Sequence, residues 1–247
     1  MKSFYVIFCV LFIYSCNPTK KEMSAQEIID NAIAYSGVDM VANATISFNF
    51  RDKLYISDRN NGAFSLKRIT KNDTVVTKDI LSNDGFKRFI DDIAIKVIDS
   101  MAIKYSESIN SVHYFATLPF GLNDKAVNKK LLQEKNIKGK EYYKVEITFQ
   151  QEGGGIDYQD VFIYWIEKED FSIDYLAYKF HVDGGGVRFR EVTNVETVNG
   201  IKFSNYNNYK PKDSKVRVFE LDDAFENEEL IKLSEINLEN TKVLLKK

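Results

Sequence analysis

From residue 128 onwards, turn signals follow one another too closely for a helix to cross between strands. Segments of strand character run near 128–135, 141–150, 158–167, 173–182, 187–196, 201–209 and 215–222. Between them stand Lys138-Gly139, Gly153-Gly154-Gly155, the stretch 167–171, Gly184-Gly185-Gly186, Asn199-Gly200 and Pro211-Lys212-Asp213. A parallel pair needs a connection of about a dozen residues or more, so each strand must pair antiparallel with its neighbour. That excludes a parallel α/β barrel and a doubly wound sheet. Composition agrees: 18 Phe, 14 Tyr and only 3 Pro in 247 residues suit long strands.

The preceding part mixes periods. Ser24 and Glu27 have capping-box spacing, Ile28, Ile29, Ala32 and Ile33 fall on one helical face, and Gly37 suits the position after the last turn. This predicts an amphipathic helix of about three turns. Ala44, Ile46, Phe48 and Phe50 then alternate with polar residues, as a strand with one buried face requires. Strands are expected at 54–57 and 64–70, joined through Asn60-Asn61-Gly62, and at 86–90 and 93–97 around Asp91-Asp92. The stretch 100–118 has helical spacing at Met101, Tyr105 and Ile109 but stays open between helix and strand. Residues 227–234 predict a helical turn before a last strand near 235–245. Val161 to Ile166 is apolar on both faces, so something must cover that strand twice. A sheet curled into a barrel or half-barrel, with a helix against its inner face, meets this need; segments 25–36 and 100–118 are the available covers.

The first sixteen residues form an address. Lys2 precedes an apolar run from Phe4 to Tyr14, too short at ~1.5 Å per helical residue to cross a ~30 Å hydrocarbon core. The run fits a secretory signal, and Ile13-Tyr14-Ser15-Cys16 resembles the bacterial lipobox. The expected organisation is a lipoprotein signal peptide at 1–15, lipidated Cys16 and a tether at 16–23, and one domain at 24–247. Cys9 leaves with the signal and Cys16 is acylated, so no disulfide holds the fold. Asn17 is not the Asp that resembles an inner-membrane retention signal. An outer-membrane lipid anchor facing the periplasm is therefore expected.

Chemistry leaves little trace. Lys and Arg number 34 against 36 Asp and Glu, so charge gives no reason to expect nucleic acid as a partner. With two His and two Cys, a metal site built on them is not expected. His113 and His181 lie in no ligand spacing. The pairs Asp91-Asp92, Asp222-Asp223 and Glu228-Glu229 are adjacent, so on a strand their side chains point apart. Both glycine triplets lead into strands, not into the helix a phosphate-cradling loop needs. No G-x-S-x-G elbow occurs. Neither a catalytic role nor a cofactor is expected.

The order of features carries a resemblance. A leading amphipathic helix is followed by meandering strands, a mid-chain helical segment and the aromatic strand 161–167 ending Trp-Ile-Glu-Lys. After it come Tyr175-Leu176-Ala177-Tyr178, the turn 183–186, Arg188-Phe189-Arg190 and 198–203, Val-Asn-Gly-Ile-Lys-Phe. This pattern, over about 24–245 and strongest over 140–210, resembles the LolA/LolB-like superfamily of periplasmic lipoprotein carriers and receptors, in particular an uncharacterised group of Gram-negative lipoproteins with that fold. The resemblance implies a mainly β, α+β architecture: an antiparallel half-open β-barrel with a helical plug, whose concavity holds acyl chains or other apolar groups.

The aromatic residues Phe48, Phe50, Tyr55, Phe64, Phe162, Tyr164, Trp165, Tyr178, Phe180 and Phe189 lie on strands that line or back such a concavity. Taken singly, each is more simply core filling. As a group they suit a half-barrel that encloses more volume than its walls fill. Arg188 and Arg190 share one strand face, opposite Phe189. Their plain reading is a solvated edge; the sharper one is a mouth that meets an anionic head group. The candidate ligand-binding set is therefore Phe48, Phe50, Tyr55, Phe64, Trp165, Tyr178, Phe180, Arg188 and Arg190. The expected function is an anchored periplasmic lipoprotein that binds an acyl chain or other lipid ligand, in lipid or lipoprotein trafficking. The alternative is a structural lipoprotein with a filled barrel that docks on an envelope protein partner.

Overall fold

The computed structural model describes residues 22–152, 158–181 and 184–246. The signal, Cys16 and most of the tether lie outside the described residues, and so does the Gly153-Gly154-Gly155 connection.

Helix α1 (Ala25–Ser36) has the capping box its sequence predicts. Ser24 and Glu27 bond reciprocally, and Gly37 ends the helix at φ 65°. A Cβ at Gly37 would lie 2.2 Å from the Gly200 carbonyl oxygen, so two turns meet there too closely for a side chain. A short 3-10 helix (Val38–Asn43) leads into six strands: β1 (Ala44–Phe50), β2 (Lys53–Asn60), β3 (Ala63–Asn72), β4 (Val75–Ser82), β5 (Gly85–Ile90) and β6 (Ile93–Ile95). Asn61 (φ 47°) and Gly62 (φ 87°) make the tight β2–β3 turn, with the positive φ values that a two-residue hairpin requires. The open segment 100–118 is helix α2 (Asp99–Ala116). Then follow β7 (Val127–Leu131), β8 (Lys135–Ile137), β9 (Lys140–Phe149), β10 (Val161–Glu167), β11 (Ile173–Phe180), β12 (Gly186–Val198), β13 (Ile201–Pro211), helix α3 (Leu221–Glu226), β14 (Leu230–Ile236) and β15 (Leu238–Leu245).

All strand pairings are antiparallel. One sheet has the order β15-β1-β2-β3-β4-β5-β6 and the other β14-β13-β12-β11-β10-β9-β7, with β8 also on β9. Asn237 alone separates β14 from β15, so the chain passes from the edge of one sheet to the edge of the other. No ladder joins β6 to β7, and the sheets do not close. The result is mainly β, antiparallel and half-open, with α1 and α2 against the inner faces.

Two corrections to the sequence reading concern the C-terminal part. The expected strand at 215–222 is instead a 3-10 turn (Val218–Glu220) running into α3. Val218, Leu221 and Ala224 are buried at a spacing of three, and packing against the second sheet overrides the Val216/Val218 alternation. The helical turn expected at 227–234 is largely strand, because Leu230 onwards pairs with β13. Strand β4 lies in a stretch the sequence reading passes over. Its Asp79 is only 2% exposed yet faces a helix, which spoils the apolar alternation that marks a strand.

The core has two parts. Between the sheets pack Ile28, Ile29, Ile46, Phe48, Phe115, Tyr164, Leu176 and Phe203 with their neighbours. On the outer side of the second sheet, Tyr142, Ile163, Trp165, Tyr175 and Phe189 lie beneath Val218 and Leu221. The doubly apolar strand β10 is thus covered twice, inside by α2, whose Tyr114 meets Phe162 and Tyr164, and outside by the 3-10 turn and α3.

Candidate functional site

Alternation along β9–β12 projects Phe149, Phe162, Tyr164, Tyr178, Phe180, Arg188 and Arg190 to the inner face. Register sets Phe162 beside Tyr178, and Tyr178 beside Arg188. The rings form a continuous series: Phe149 to Phe162 at 5.9 Å, Phe162 to Tyr178 at 5.6 Å and Tyr178 to Phe180 at 6.0 Å. Tyr114 of α2 meets Phe162 edge-on at 5.8 Å. Except for Tyr164, these residues are half-buried, so they form an aromatic ledge open to solvent. Gly186, at φ 150°, keeps it clear: a Cβ there would lie 3.2 Å from the Phe180 ring.

Two guanidinium groups sit on this ledge. Arg188 lies over Phe180 at 4.9 Å and donates to the carbonyl of its neighbour Val187 at 2.8 Å. Arg190 lies over Phe115 at 4.9 Å, Tyr178 at 5.1 Å and Tyr206 at 5.9 Å. Its Nη2 donates to the Tyr178 hydroxyl at 3.2 Å, while its Nε is buried without a partner. Asn208 pairs with Arg190 across β12–β13, and its Oδ1 is also buried and unpartnered. Among the described residues, neither arginine forms an ion pair with a carboxylate. Asp160, which precedes β10, is engaged by His181 at 3.3 Å. Burial pushes the phenols of Tyr164 and Tyr206 up, and that of Tyr114 up to about 12. All three are therefore neutral hydrogen-bonding groups at physiological pH.

Of the residues singled out from sequence, Tyr178, Phe180, Arg188 and Arg190 come together on the ledge. Phe48, Phe50 and Tyr55 are buried deeper, on the first sheet. There Phe48 and Tyr55 stack at 5.6 Å and both meet His113 of α2 edge-on. Phe115 links the two groups, 5.4 Å from Phe50 and beneath Arg190. Phe64 stands apart, with Arg59 between it and Phe120. Trp165 is placed outside the concavity: it shares a strand face with Ile163, opposite Phe162 and Tyr164, and α3 covers it completely. Phe149, Tyr114, Phe115 and Asn208 are absent from the sequence-derived set. Strand alternation points to Phe149 and Asn208, whereas Tyr114 and Phe115 become visible once 100–118 is known to be helical.

The interior between the sheets is packed with the protein's own side chains. Two clefts of about 280 and 380 Å³ open near the β8–β9 and β10–β11 turns. They are polar, lined among others by Lys140, Glu141, Glu167 and Lys168. Among the described residues no group of His, Cys, Asp and Glu is arranged to hold a metal ion, and no helix is long and apolar enough to cross a membrane.

Several solved structures are similar to this chain. A DUF1329 family protein from Desulfovibrio piger ATCC 29098 is 12% identical, with 90% of this chain and 93% of that one covered at a TM-score of 0.44. A LolA superfamily protein from Nitrosomonas europaea is 11% identical, with 92% and 95% covered at 0.47. A putative outer membrane lipoprotein-sorting protein domain from Vibrio parahaemolyticus is 9% identical, with 89% and 93% covered at 0.43. No curated protein matches the chain. The family model that matches, over residues 2–238, is that of a family of unknown function, DUF6503.

Proposed function

The chain belongs to the DUF6503 family of unknown function, and on that premise we propose that it is a non-enzymatic envelope lipoprotein that holds the apolar chain of a lipid. In this reading residues 1–15 are removed, Cys16 carries the lipid, residues 16–23 tether it, and 24–247 form one domain facing the periplasm from the outer membrane. The observation that carries the reading is the partly exposed ring series Phe149, Phe162, Tyr178 and Phe180, walled by Tyr114 of α2. Apolar rings left in water at the mouth of a filled half-barrel gain from any chain that covers them. Burial contributes ~0.8 kcal/mol per CH₂, so a long chain outweighs the ordering cost of binding. Handing such a chain to or from the membrane is a trafficking role.

The test is displacement of an environment-sensitive apolar dye by lipids of increasing chain length. Saturable displacement that strengthens with length is the expected outcome, and Phe162→Ser should weaken it. If the delipidated protein binds neither dye nor lipid, this reading fails.

A second reading, a lipoprotein that docks on an envelope protein, rests on a different observation. Strand β6 is the outer edge of its sheet, and Ile93 (68% exposed), Ile95, Ile98 (68%) and Ile103 stand in solvent along it and the start of α2. An apolar edge of this kind favours association. It takes the place of the first reading if the ledge binds nothing.

A further inference from the structure

The two arginines on the ledge carry more than an apolar chain requires. An apolar ligand is served by the rings alone, and among the described residues neither guanidinium has a carboxylate partner to offset its desolvation. Arg190 is held by three rings, spends one donor on the Tyr178 hydroxyl and leaves its Nε buried and unpartnered. Arg188, two residues away on the same face, donates to the Val187 carbonyl of its own strand. Cation–π contacts fix both groups in place without using up their in-plane donors, which are the ones that grip an oxyanion.

We propose that Arg188 and Arg190 form a head-group site for an anionic amphiphile, whose acidic oxygens they bind while its chain lies across Phe180, Tyr178 and Phe162. This rests on the reading of the ledge as a chain-binding surface and adds the class of ligand: a chain ending in a carboxylate or phosphate, not a neutral lipid. Tyr178 joins the two halves, since its ring lies in the chain path and its hydroxyl accepts from Arg190.

The experiment compares photoactivatable hexadecanoate, hexadecyl phosphate and hexadecanol on the full processed protein in detergent, with labelled peptides located by mass spectrometry. The acids should label β10–β12 about tenfold or more above the alcohol, the ratio expected of one charge-assisted hydrogen bond. Comparison of the two acids tells which head group is preferred. Arg188→Gln, and separately Arg190→Gln, should remove the preference while labelling by the alcohol persists. That residual labelling also shows that each variant is folded. Equal labelling of wild-type protein by acid and alcohol overturns the head-group site but leaves chain binding intact. Absence of labelling by all three overturns both.

Discussion

The Trp165 indole N–H donates to Asp222 Oδ2 at 3.1 Å, across 57 residues of sequence. The same oxygen accepts from Lys144 Nζ at 2.7 Å, and Lys144 also donates to the Phe219 carbonyl at 2.7 Å. Asp222 is fully buried and Lys144 nearly so. These bonds fasten α3 and its 3-10 turn to the outer side of the second sheet.

Removing one partner leaves the other charge buried without compensation, which costs ~3–5 kcal/mol. Asp222→Ala should therefore lower the midpoint of urea unfolding sharply and shift Trp165 emission to the red. Lys144→Met combined with Asp222→Leu should cost much less than the two single changes together. Because Trp165 lies outside the concavity, its emission should stay unchanged when lipid displaces a dye from the ledge. A lipid-induced blue shift would contradict that placement.

Asp79 sits between Arg68 Nη2 at 2.7 Å and Arg88 Nε at 2.6 Å, under the N-terminal half of α2. Burial alone would raise its carboxyl, but hydrogen bonds from Arg88 and Arg68 outweigh burial and hold it below the usual range. A depressed folded value means that the stabilisation is complete above the unfolded carboxyl range, near pH 4. It is lost as pH falls through the folded value. Asp79→Asn should destabilise the protein by ~3 kcal/mol or more at pH 7, a gap that narrows in acid. Arg88 stacks on Tyr105 at 3.8 Å and Arg68 bonds Ser108 at 2.8 Å. Hydrogen exchange in α2 should therefore quicken in the same variant.

His113 is buried against Phe48 and Tyr55, and its Nε2–H donates to the Lys67 carbonyl at 3.2 Å. Burial lowers its pKa to about 4, so the folded protein excludes a proton that the unfolded chain binds below about pH 6.5. Stability should be full above pH 6.5 and decline between 6.5 and 4, by up to ~3 kcal/mol. His113→Phe should flatten that stretch of the stability–pH curve. If the slope persists in the variant, another group is responsible.

Cys16→Ser should leave the precursor uncleaved and free of acyl chains. Intact-mass measurement of the wild-type protein should place its N-terminus at an acylated Cys16; cleavage elsewhere would overturn the expected anchor.

The antiparallel plan was legible in the sequence because it is local chemistry. Closely spaced Asn-Gly and Gly-containing turns leave no room for crossovers, and the doubly apolar stretch from Val161 demands two covers. Helix α1 was legible from its caps. Helix α3 and strand β4 were not. Val218, Leu221 and Ala224 become a helical face only against the sheet they pack on, and Asp79 becomes acceptable in a strand only once Arg68 and Arg88 reach it.

The candidate site divides in the same way. Alternation alone sets Arg188 and Arg190 on one face opposite Phe189, and Trp165 opposite Phe162 and Tyr164, because successive strand residues point to opposite sides. Which of those faces is the inside is not a local property. It was decided when β14 carried the chain over into β15, bringing the two sheets face to face around α1 and α2. That packing put Phe115 under Arg190 and left Trp165 to α3. Period two is written into the backbone, whereas inside and outside exist only after distant segments have packed.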